Sequence, residues 1–72
     1  MADGKRYEGT IVRMHERGYA FVSVPNESDL FLHFSDFAGA EWNDLLMERR
    51  VSFEVKTADN GRRRAIRCRL VE

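Results

Sequence analysis

The chain has 72 residues, of which 43% are hydrophobic and 33% are charged, and its formal net charge is zero. A chain of this length buries only about 60% of its unfolded surface, so it has room for one core but not for a catalytic domain beside a cofactor domain. The hydrophobic fraction lies well above that of disordered chains, and the neutral charge excludes a protein that binds polyanions by charge alone.

A single cysteine and the absence of long apolar runs further narrow the possible classes of protein. Cys68 alone cannot form an internal disulfide or a multi-cysteine metal site, which favours a reducing compartment. No apolar run approaches the roughly 20 residues of a membrane span, and residues 1–5 contain no signal-peptide core. We therefore expect a soluble, cytoplasmic protein with one domain over residues 1–72 and no membrane partner.

Short segments of alternating apolar and polar residues lie between turn signals and predict five β-strands. The predicted strands cover residues 7–14, 18–24, 29–33, 50–57 and 64–70. Turn signals at Pro25 and at the Asn60-Gly61 pair separate two pairs of them. Over the five strands, the alternation assigns the inward face to Ile11, Ala20, Val22, Val24, Leu30, Leu32, Val51, Phe53, Val55, Ile66, Cys68 and Leu70. In the last strand, it turns Ala65 outward.

The connection between the third and fourth predicted strands, residues 34–49, is much longer than the others. Within it, residues 44–48 predict no more than one helical turn. Five short strands with one long connection favour a small barrel over an open sheet. The expected fold class is therefore all-β, with a five-stranded antiparallel barrel.

The last predicted strand and its turn are rich in arginine. Ten of the twelve basic residues are arginine, and five of them fall in one eight-residue stretch without an acid: Arg62, Arg63, Arg64, Arg67 and Arg69. Arginine suits bidentate phosphate contacts and stacking on flat rings. The same charges would also protect a solvated edge strand from aggregation. Both interpretations of this arginine cluster remain open from the sequence.

Four rings alternate with the inward residues of the second and third predicted strands: Tyr19, Phe21, Phe31 and His33. If the aliphatic residues face inward, these rings point outward together, and such an exposed aromatic cluster needs a reason. Stacking on unpaired nucleic-acid bases is one, since it stabilises a complex by roughly 1–3 kcal/mol per base without requiring a sequence. The alternative is that the rings pack against the loop that carries Trp42.

Two segments around these rings carry a family resemblance. Residues 17–22, Arg-Gly-Tyr-Ala-Phe-Val, match the first six positions of the ribonucleoprotein motif. Residues 30–35, Leu-Phe-Leu-His-Phe-Ser, look like the second such motif of the cold-shock domain. From about residue 7 to residue 70, the chain resembles the bacterial cold-shock protein family. The resemblance implies a five-stranded barrel of OB type that binds single-stranded DNA and RNA.

The resemblance also implies roles for individual residues. Tyr19 and Phe21 match the two stacking rings of the first motif, and Arg17 matches its phosphate-facing cation. The base-contacting residues of the second motif correspond to Phe31, His33 and Phe34. Trp42 falls where the family has a loop aromatic that stacks on a base. Asp29 lies where a hydrogen bond to a base edge is usual.

The first strand departs from the family pattern. The family normally reads Lys-Trp-Phe-Asn there, whereas residues 12–15 of this chain read Val-Arg-Met-His. Arg13 stands near the place of the missing stacking tryptophan, and we expect it to contact phosphate instead. The usual Gly-Pro of the last hairpin is replaced by Gly61-Arg62, with one extra residue before Ala65.

The function expected is binding of single-stranded RNA or DNA, pyrimidine-rich strands preferred, by a monomer without a cofactor. By resemblance, such a protein acts as an RNA chaperone or as a regulator of transcription or translation. The alternative is an OB-fold protein-interaction module that has lost most nucleic-acid binding. The missing tryptophan and the zero net charge favour the alternative, whereas the retained rings favour nucleic-acid binding.

We do not expect an enzyme, a metal site or a small-molecule substrate. His15 and His33 lack the spacing of metal ligands. A hydrolase pair of Ser35 with His33 is not expected, because neighbouring strand residues point apart and no acid is placed to orient the histidine. Ser35 is better explained as a cap at the start of the long loop, and Cys68 as a core residue.

Overall fold

Residues 5–71, the part of the chain that the computed structural model describes, form six β-strands and two short 3-10 helices. The prediction that the chain has no signal-peptide core concerns mainly residues 1–4, which lie outside the described residues. The strands are β1 (Tyr7–His15), β2 (Tyr19–Ser23), β3 (Leu30–His33), β4 (Phe37–Ala38), β5 (Arg50–Thr57) and β6 (Arg63–Leu70). The helices are Phe34–Asp36 and Asp44–Leu46.

Five of these strands close into a barrel, as the sequence predicts. β1 pairs antiparallel with β2 and β5, β2 with β3, and β5 with β6. β3 then pairs with β6 in parallel, Leu32 opposite Ala65, and this pairing closes the barrel. The expectation of a purely antiparallel barrel is wrong, because five strands that alternate in direction leave the first and last of the series pointing the same way.

The last strand is an interior strand of the sheet. Besides β5 and β3, β6 pairs in parallel with the two-residue strand β4, with Phe37 opposite Cys68. The interpretation of the arginine cluster as a charged edge strand is therefore wrong. The sequence does not reveal this, because the parallel partners of β6 come from distant parts of the chain.

A bulge in β6 changes which of its residues face the core. Two residues, Arg67 and Cys68, lie opposite the single residue Phe53, and Arg67 has a left-handed φ of 50°. The bulge shifts the alternation, so Ala65 is fully buried together with Cys68. The prediction that Ala65 faces outward is wrong, because strict alternation cannot continue through the extra residue.

The core lies inside the barrel and contains most of the residues predicted for it. Its members are Ile11, Ala20, Val22, Leu30, Leu32, Leu46, Val51, Phe53, Ala65 and Cys68. Val24, Val55 and Leu70, also predicted to face inward, are partly buried against it. Close packing between neighbouring strands explains Gly9 in β1. A Cβ atom there would lie 2.6 Å from the Ser23 carbonyl oxygen and 2.7 Å from Val22 Cγ1.

The helical turn predicted within residues 44–48 is present as the 3-10 helix Asp44–Leu46. The Asn43 side-chain oxygen accepts a hydrogen bond from the Leu45 amide at 2.9 Å and so caps the helix. Leu46 is buried in the core, so the loop of residues 34–49 packs against the barrel at this residue. Both helices of residues 5–71 have only three residues, and neither could span a membrane.

Candidate nucleic-acid interface

The outer faces of β2 and β3 bring four predicted rings together. Register pairs Tyr19 with His33 and Phe21 with Phe31, so the rings stand side by side across the two strands. The Tyr19 and Phe31 ring centroids are 5.4 Å apart, and their planes are inclined by 26°. Phe21 stands nearly perpendicular to both of these rings, at 6.0 and 6.1 Å. All four are partly exposed, while the residues between them are buried.

A bulge in β1 turns Arg13 toward these rings. Ile11 pairs with Val22 and Arg13 with Phe21, which leaves Val12 as an extra, 41% exposed residue. Without the bulge, strict alternation would place Arg13 on the inward side with Ile11. With it, the guanidinium carbon of Arg13 lies 5.9 Å from the centroid of the Phe21 ring, within cation–π distance.

His15 extends the row of rings, and the sequence analysis missed it. Its ring stacks on Tyr19 with centroids 4.6 Å apart and planes inclined by only 7°. The tight turn between β1 and β2, with the Gly18 amide bonded to the His15 carbonyl, makes His15 and Tyr19 partners. The sequence signal that could have indicated His15 was the short turn before Tyr19, which sets the register of this hairpin. We call the five rings together the ring platform: His15, Tyr19, Phe21, Phe31 and His33.

At the end of β3, backbone and side-chain contacts hold His33. Its Nδ1 atom accepts a hydrogen bond from the Ser35 amide at 3.2 Å and lies 2.8 Å from the Ser35 hydroxyl oxygen. His33 therefore caps the helix Phe34–Asp36. The expectation that Ser35 is the cap is wrong, because the helix begins one residue before it. These contacts restrict the rotation of the His33 ring.

Phe34 continues the aromatic surface beyond His33. The two ring centroids are 4.6 Å apart, and 49% of Phe34 is exposed. Phe34 lies against Gly18, whose carbonyl accepts a hydrogen bond from the Phe34 amide at 2.9 Å. Gly18 has a φ of 95°, and a Cβ atom there would lie 2.6 Å from Phe34 Cδ2. A glycine is therefore required at this turn for both backbone and packing reasons.

Trp42 stands apart from the ring platform. It is half-buried and packs edge-on against Phe37, with ring centroids 5.7 Å apart. Trp42 borders a shallow groove of about 590 Å³ together with Met14 and His15, at the His15 end of the platform. Among the described residues, its ring contact is with Phe37. The alternative in which the four rings pack against the Trp42 loop is therefore not what the structure shows.

Charged residues flank the platform at both ends. Arg17 is exposed in the turn between β1 and β2, and no carboxylate of residues 5–71 forms an ion pair with it. Asp29 is exposed just before β3 and lines a groove of about 970 Å³. This groove, which we call the hairpin groove, lies between the rings of Tyr19, Phe21 and Phe31, the turn of residues 26–29 and the hairpin of residues 58–64.

Acidic residues from other elements neutralise much of the arginine cluster. Arg63 forms an ion pair with Glu27, Arg64 with Asp36 at 2.9 Å, and Arg67 with Glu54 at 3.8 Å. Arg62 and Arg69 are exposed and have no ion-pair partner among the described residues. The cluster therefore carries less available charge than its sequence indicates.

Residues 7–71, nearly the whole chain, match the sequence model of the family described as the 'Cold-shock' DNA-binding domain. The chain belongs to the cold-shock protein family. The resemblance noted in the sequence is thereby confirmed. Because members of this family bind single-stranded nucleic acids and are not enzymes, the expectation of cold-shock-type nucleic-acid binding is confirmed at the level of the family.

Bacterial cold-shock proteins are among its relatives. The major cold shock protein CspA of Bacillus cereus is 36% identical over 47 residues, which cover 65% of this chain and 70% of that protein. CspB of Geobacillus stearothermophilus is also 36% identical over 47 residues, covering 71% of its own length. A solved structure named drosophila Unr CSD456 aligns with a TM-score of 0.77 at 29% identity. That alignment covers 97% of this cold-shock domain but 28% of the other chain.

Residues 5–71 contain no group of three or more side chains able to hold a metal ion. The Ser35 hydroxyl oxygen lies 2.8 Å from His33 Nδ1, so the expectation that the two side chains point apart is wrong: they are two residues apart rather than adjacent, and His33 caps the helix in which Ser35 lies. No carboxylate of residues 5–71 forms a hydrogen bond or an ion pair with His33.

Cys68 is a core residue of the cold-shock domain, as predicted. Its side chain is 1% exposed, and burial raises the pKa of the thiol to about 12, with the Arg6 guanidinium opposing part of that rise. Because the thiolate is the nucleophilic form of cysteine, the Cys68 thiol is protonated and unreactive at neutral pH.

Proposed function

We propose that this cold-shock domain binds single-stranded RNA or DNA by stacking unpaired bases on the ring platform. The observation that carries the proposal is the continuous row of partly exposed rings, in which Tyr19 stacks on His15 and lies 5.4 Å from Phe31. Each stacked base contributes roughly 1–3 kcal/mol, and every base offers a flat face. Phe34 extends this surface beyond His33, and Trp42 borders the groove beside His15.

Charged residues next to the rings fit the path of a nucleic-acid backbone. Arg13 lies over Phe21, and Arg17 stands without an ion-pair partner in the turn beside His15. Both guanidinium groups can contact phosphate while the bases stack. Asp29, at the other end, can accept a hydrogen bond from a base edge. We propose Arg13, Arg17 and Asp29 as contacts with the strand.

The proposed mechanism requires no chemical step. A strand whose bases are stacked on the platform cannot pair, so the protein competes with base pairing and keeps RNA unfolded. This activity suits a cytoplasmic RNA chaperone or a regulator of transcription or translation. Pyrimidine-rich strands are the proposed ligand. Proteins that bind single strands by stacking show modest sequence preferences, for pyrimidine runs among others, which come from stacking strength and from the flexibility of the nucleic-acid backbone. A monomer is sufficient, since the whole platform lies on one chain.

Titration with a labelled oligopyrimidine tests the proposal. Stacking requires unpaired bases, so a single strand should bind at least about tenfold more tightly than the duplex of the same sequence, the equivalent of one stacked base at roughly 1.4 kcal/mol. Trp42 is the only tryptophan, and its fluorescence supplies a second signal. Equal affinity for single strand and duplex would contradict stacking as the mechanism.

A protein-interaction module remains the second candidate function. The exposure of Leu45, at 78%, next to Met47, at 39%, favours it, because both lie on the surface of the loop that carries Trp42. Such a module would use this loop and the rings as an apolar patch. It predicts no measurable binding of the oligopyrimidine at low salt, whereas the first proposal predicts binding that depends on the rings.

A further inference from the structure

The hairpin groove joins the ring platform to the arginine-rich hairpin. One wall carries the rings of Tyr19, Phe21 and Phe31, and the opposite wall carries the arginines of residues 62–64. A base stacked on Phe31 therefore has arginine side chains on its groove side. The groove is open to solvent, and its volume of about 970 Å³ is enough for at least one nucleotide.

Hydrogen bonds within the hairpin fix the backbone from which its arginine side chains extend. The Ala58 amide donates to the Arg62 carbonyl at 2.8 Å, and the Gly61 amide donates to the Ala58 carbonyl at 2.9 Å. The Asn60 side-chain oxygen accepts from the Arg62 amide at 2.9 Å. The turn that presents Arg62 and Arg63 to the groove is therefore bonded internally and does not depend on a ligand for its conformation.

A carboxylate already occupies one of these guanidinium groups. Glu27, in the turn between β2 and β3, forms an ion pair with Arg63 across the groove. Both side chains are well exposed, at 37% and 41%, so the pair is accessible to solvent and to a ligand. Arg62 has no such partner among the described residues, while Arg64 is bound to Asp36.

Carboxylate and phosphate present similar oxygen pairs to a guanidinium group, and both bind it in the same geometry. We infer that the hairpin groove is a phosphate-binding part of the interface, and that Glu27 competes with the phosphate for Arg63. The nucleic-acid strand contacts Arg62 directly and reaches Arg63 by displacing Glu27. This inference rests on the proposed function, since it concerns the part of the strand that continues beyond the ring platform.

The competition lowers affinity by the strength of one exposed ion pair. Such pairs contribute little, so releasing Arg63 from Glu27 should raise the affinity about two- to fivefold. Glu27→Gln is the informative change, because glutamine keeps the size and removes the charge. An oligopyrimidine of about eight nucleotides is long enough to occupy the whole platform and the groove together, whereas one of about four can occupy only part of them.

The experiment measures the affinity of both oligomers for the unaltered protein and for Glu27→Gln, Arg63→Gln and the double variant. Glu16→Gln is the matched control, since it removes one exposed acid at the opposite end of the platform. We expect Glu27→Gln to raise the affinity for the longer oligomer more than Glu16→Gln does. We expect Arg63→Gln to lower it, and the gain from Glu27→Gln to be largely lost in the double variant.

Two results would overturn the inference while leaving the proposed function intact. One is an equal gain from Glu27→Gln and Glu16→Gln, which would mean that only net charge matters. The other is a full gain from Glu27→Gln in the protein that also carries Arg63→Gln. That result would mean that Glu27 repels the phosphates of the strand directly and does not compete with them for Arg63. Failure of the unaltered protein to bind either oligomer would overturn the proposed function and the groove together. Circular dichroism of each variant establishes that it is folded.

Discussion

At the scale of single residues, Cys68 shows how burial changes chemistry. The ordinary pKa of the thiol, 9.0, is raised to about 12 by its position in the core. Between these two values the unfolded chain releases the thiol proton while the folded protein keeps it. The folded state is therefore destabilised as the pH rises through this window, by at most about 1.4 kcal/mol per pH unit.

This linkage predicts the pH dependence of stability. The free energy of unfolding should fall between about pH 9 and about pH 11 more steeply for the unaltered protein than for Cys68→Ala. The alanine variant has lost the titrating group but keeps every other one. Urea unfolding at several pH values measures the difference. Parallel curves for the two proteins would show that the thiol does not titrate differently in the folded state.

At the scale of the elements, two bulges decide what the barrel presents at its surface. The bulge at Val12 in β1 turns Arg13 toward the ring platform, and the bulge at Arg67 in β6 returns Cys68 to the core. The second bulge is tied to the chain start by Arg6, whose guanidinium donates to the carbonyls of Ser52 and Arg67 at 2.7 and 2.8 Å. Arg6 also lies 3.5 Å from the Glu54 carboxylate.

The left-handed conformation of Arg67 predicts a stabilising substitution. A side chain with a Cβ atom costs roughly 1–2 kcal/mol there, and glycine does not. Arg67 is 74% exposed and 3.8 Å from Glu54, so its ion pair contributes little. After the larger entropy of unfolded glycine is subtracted, Arg67→Gly should stabilise the fold by about 0.5–1 kcal/mol.

Arg69→Gly is the matched control for this prediction. Arg69 is exposed on the same strand, and its φ is not positive. Glycine there should destabilise by roughly 0.5–1 kcal/mol, as it does inside other strands. Thermal unfolding compares the two variants. Equal losses for both would mean that the bulge does not strain Arg67.

At the scale of the whole molecule, the barrel separates stability from the proposed binding. Residues that alternate along β2 and β3 lie either in the core or on the ring platform. Phe53 is fully buried, whereas Phe31 and His33 are partly exposed. Substitutions on the two sides of the sheet should therefore affect different measurements.

Alanine substitutions test this separation. Phe31→Ala and His33→Ala should each weaken the binding of an oligopyrimidine by roughly 1–3 kcal/mol and leave most of the stability unchanged. Phe53→Ala should instead lower the free energy of unfolding by roughly 3–5 kcal/mol, because it leaves a cavity in the core. Fluorescence titration and urea unfolding measure the two effects. Unfolding of Phe31→Ala would mean that its ring belongs to the core.

The folded molecule also brings acidic residues from several elements to the arginine cluster. The arginine cluster lies on one hairpin, but its partners Glu27, Asp36 and Glu54 come from three other elements. Barrel closure brings Glu27 and Asp36 to the hairpin, whereas Glu54 lies on the neighbouring strand β5, and this neutralisation leaves the rings as the main source of proposed affinity. A neutral surface attracts polyanions weakly at long range.

Sequence patterns alone predict the five barrel strands, though not the two-residue strand β4, together with most of the core and four of the five platform rings. These features depend on alternation between neighbours, which any short segment displays. Tertiary structure decided what depends on residues far apart in the chain. Closure by an odd number of strands made one pairing parallel and placed β6 in the interior. Bulges shifted Arg13 and Ala65 between faces, and hairpin register added His15. Alternation carries no information about an extra residue or a distant partner, so these outcomes required the folded barrel.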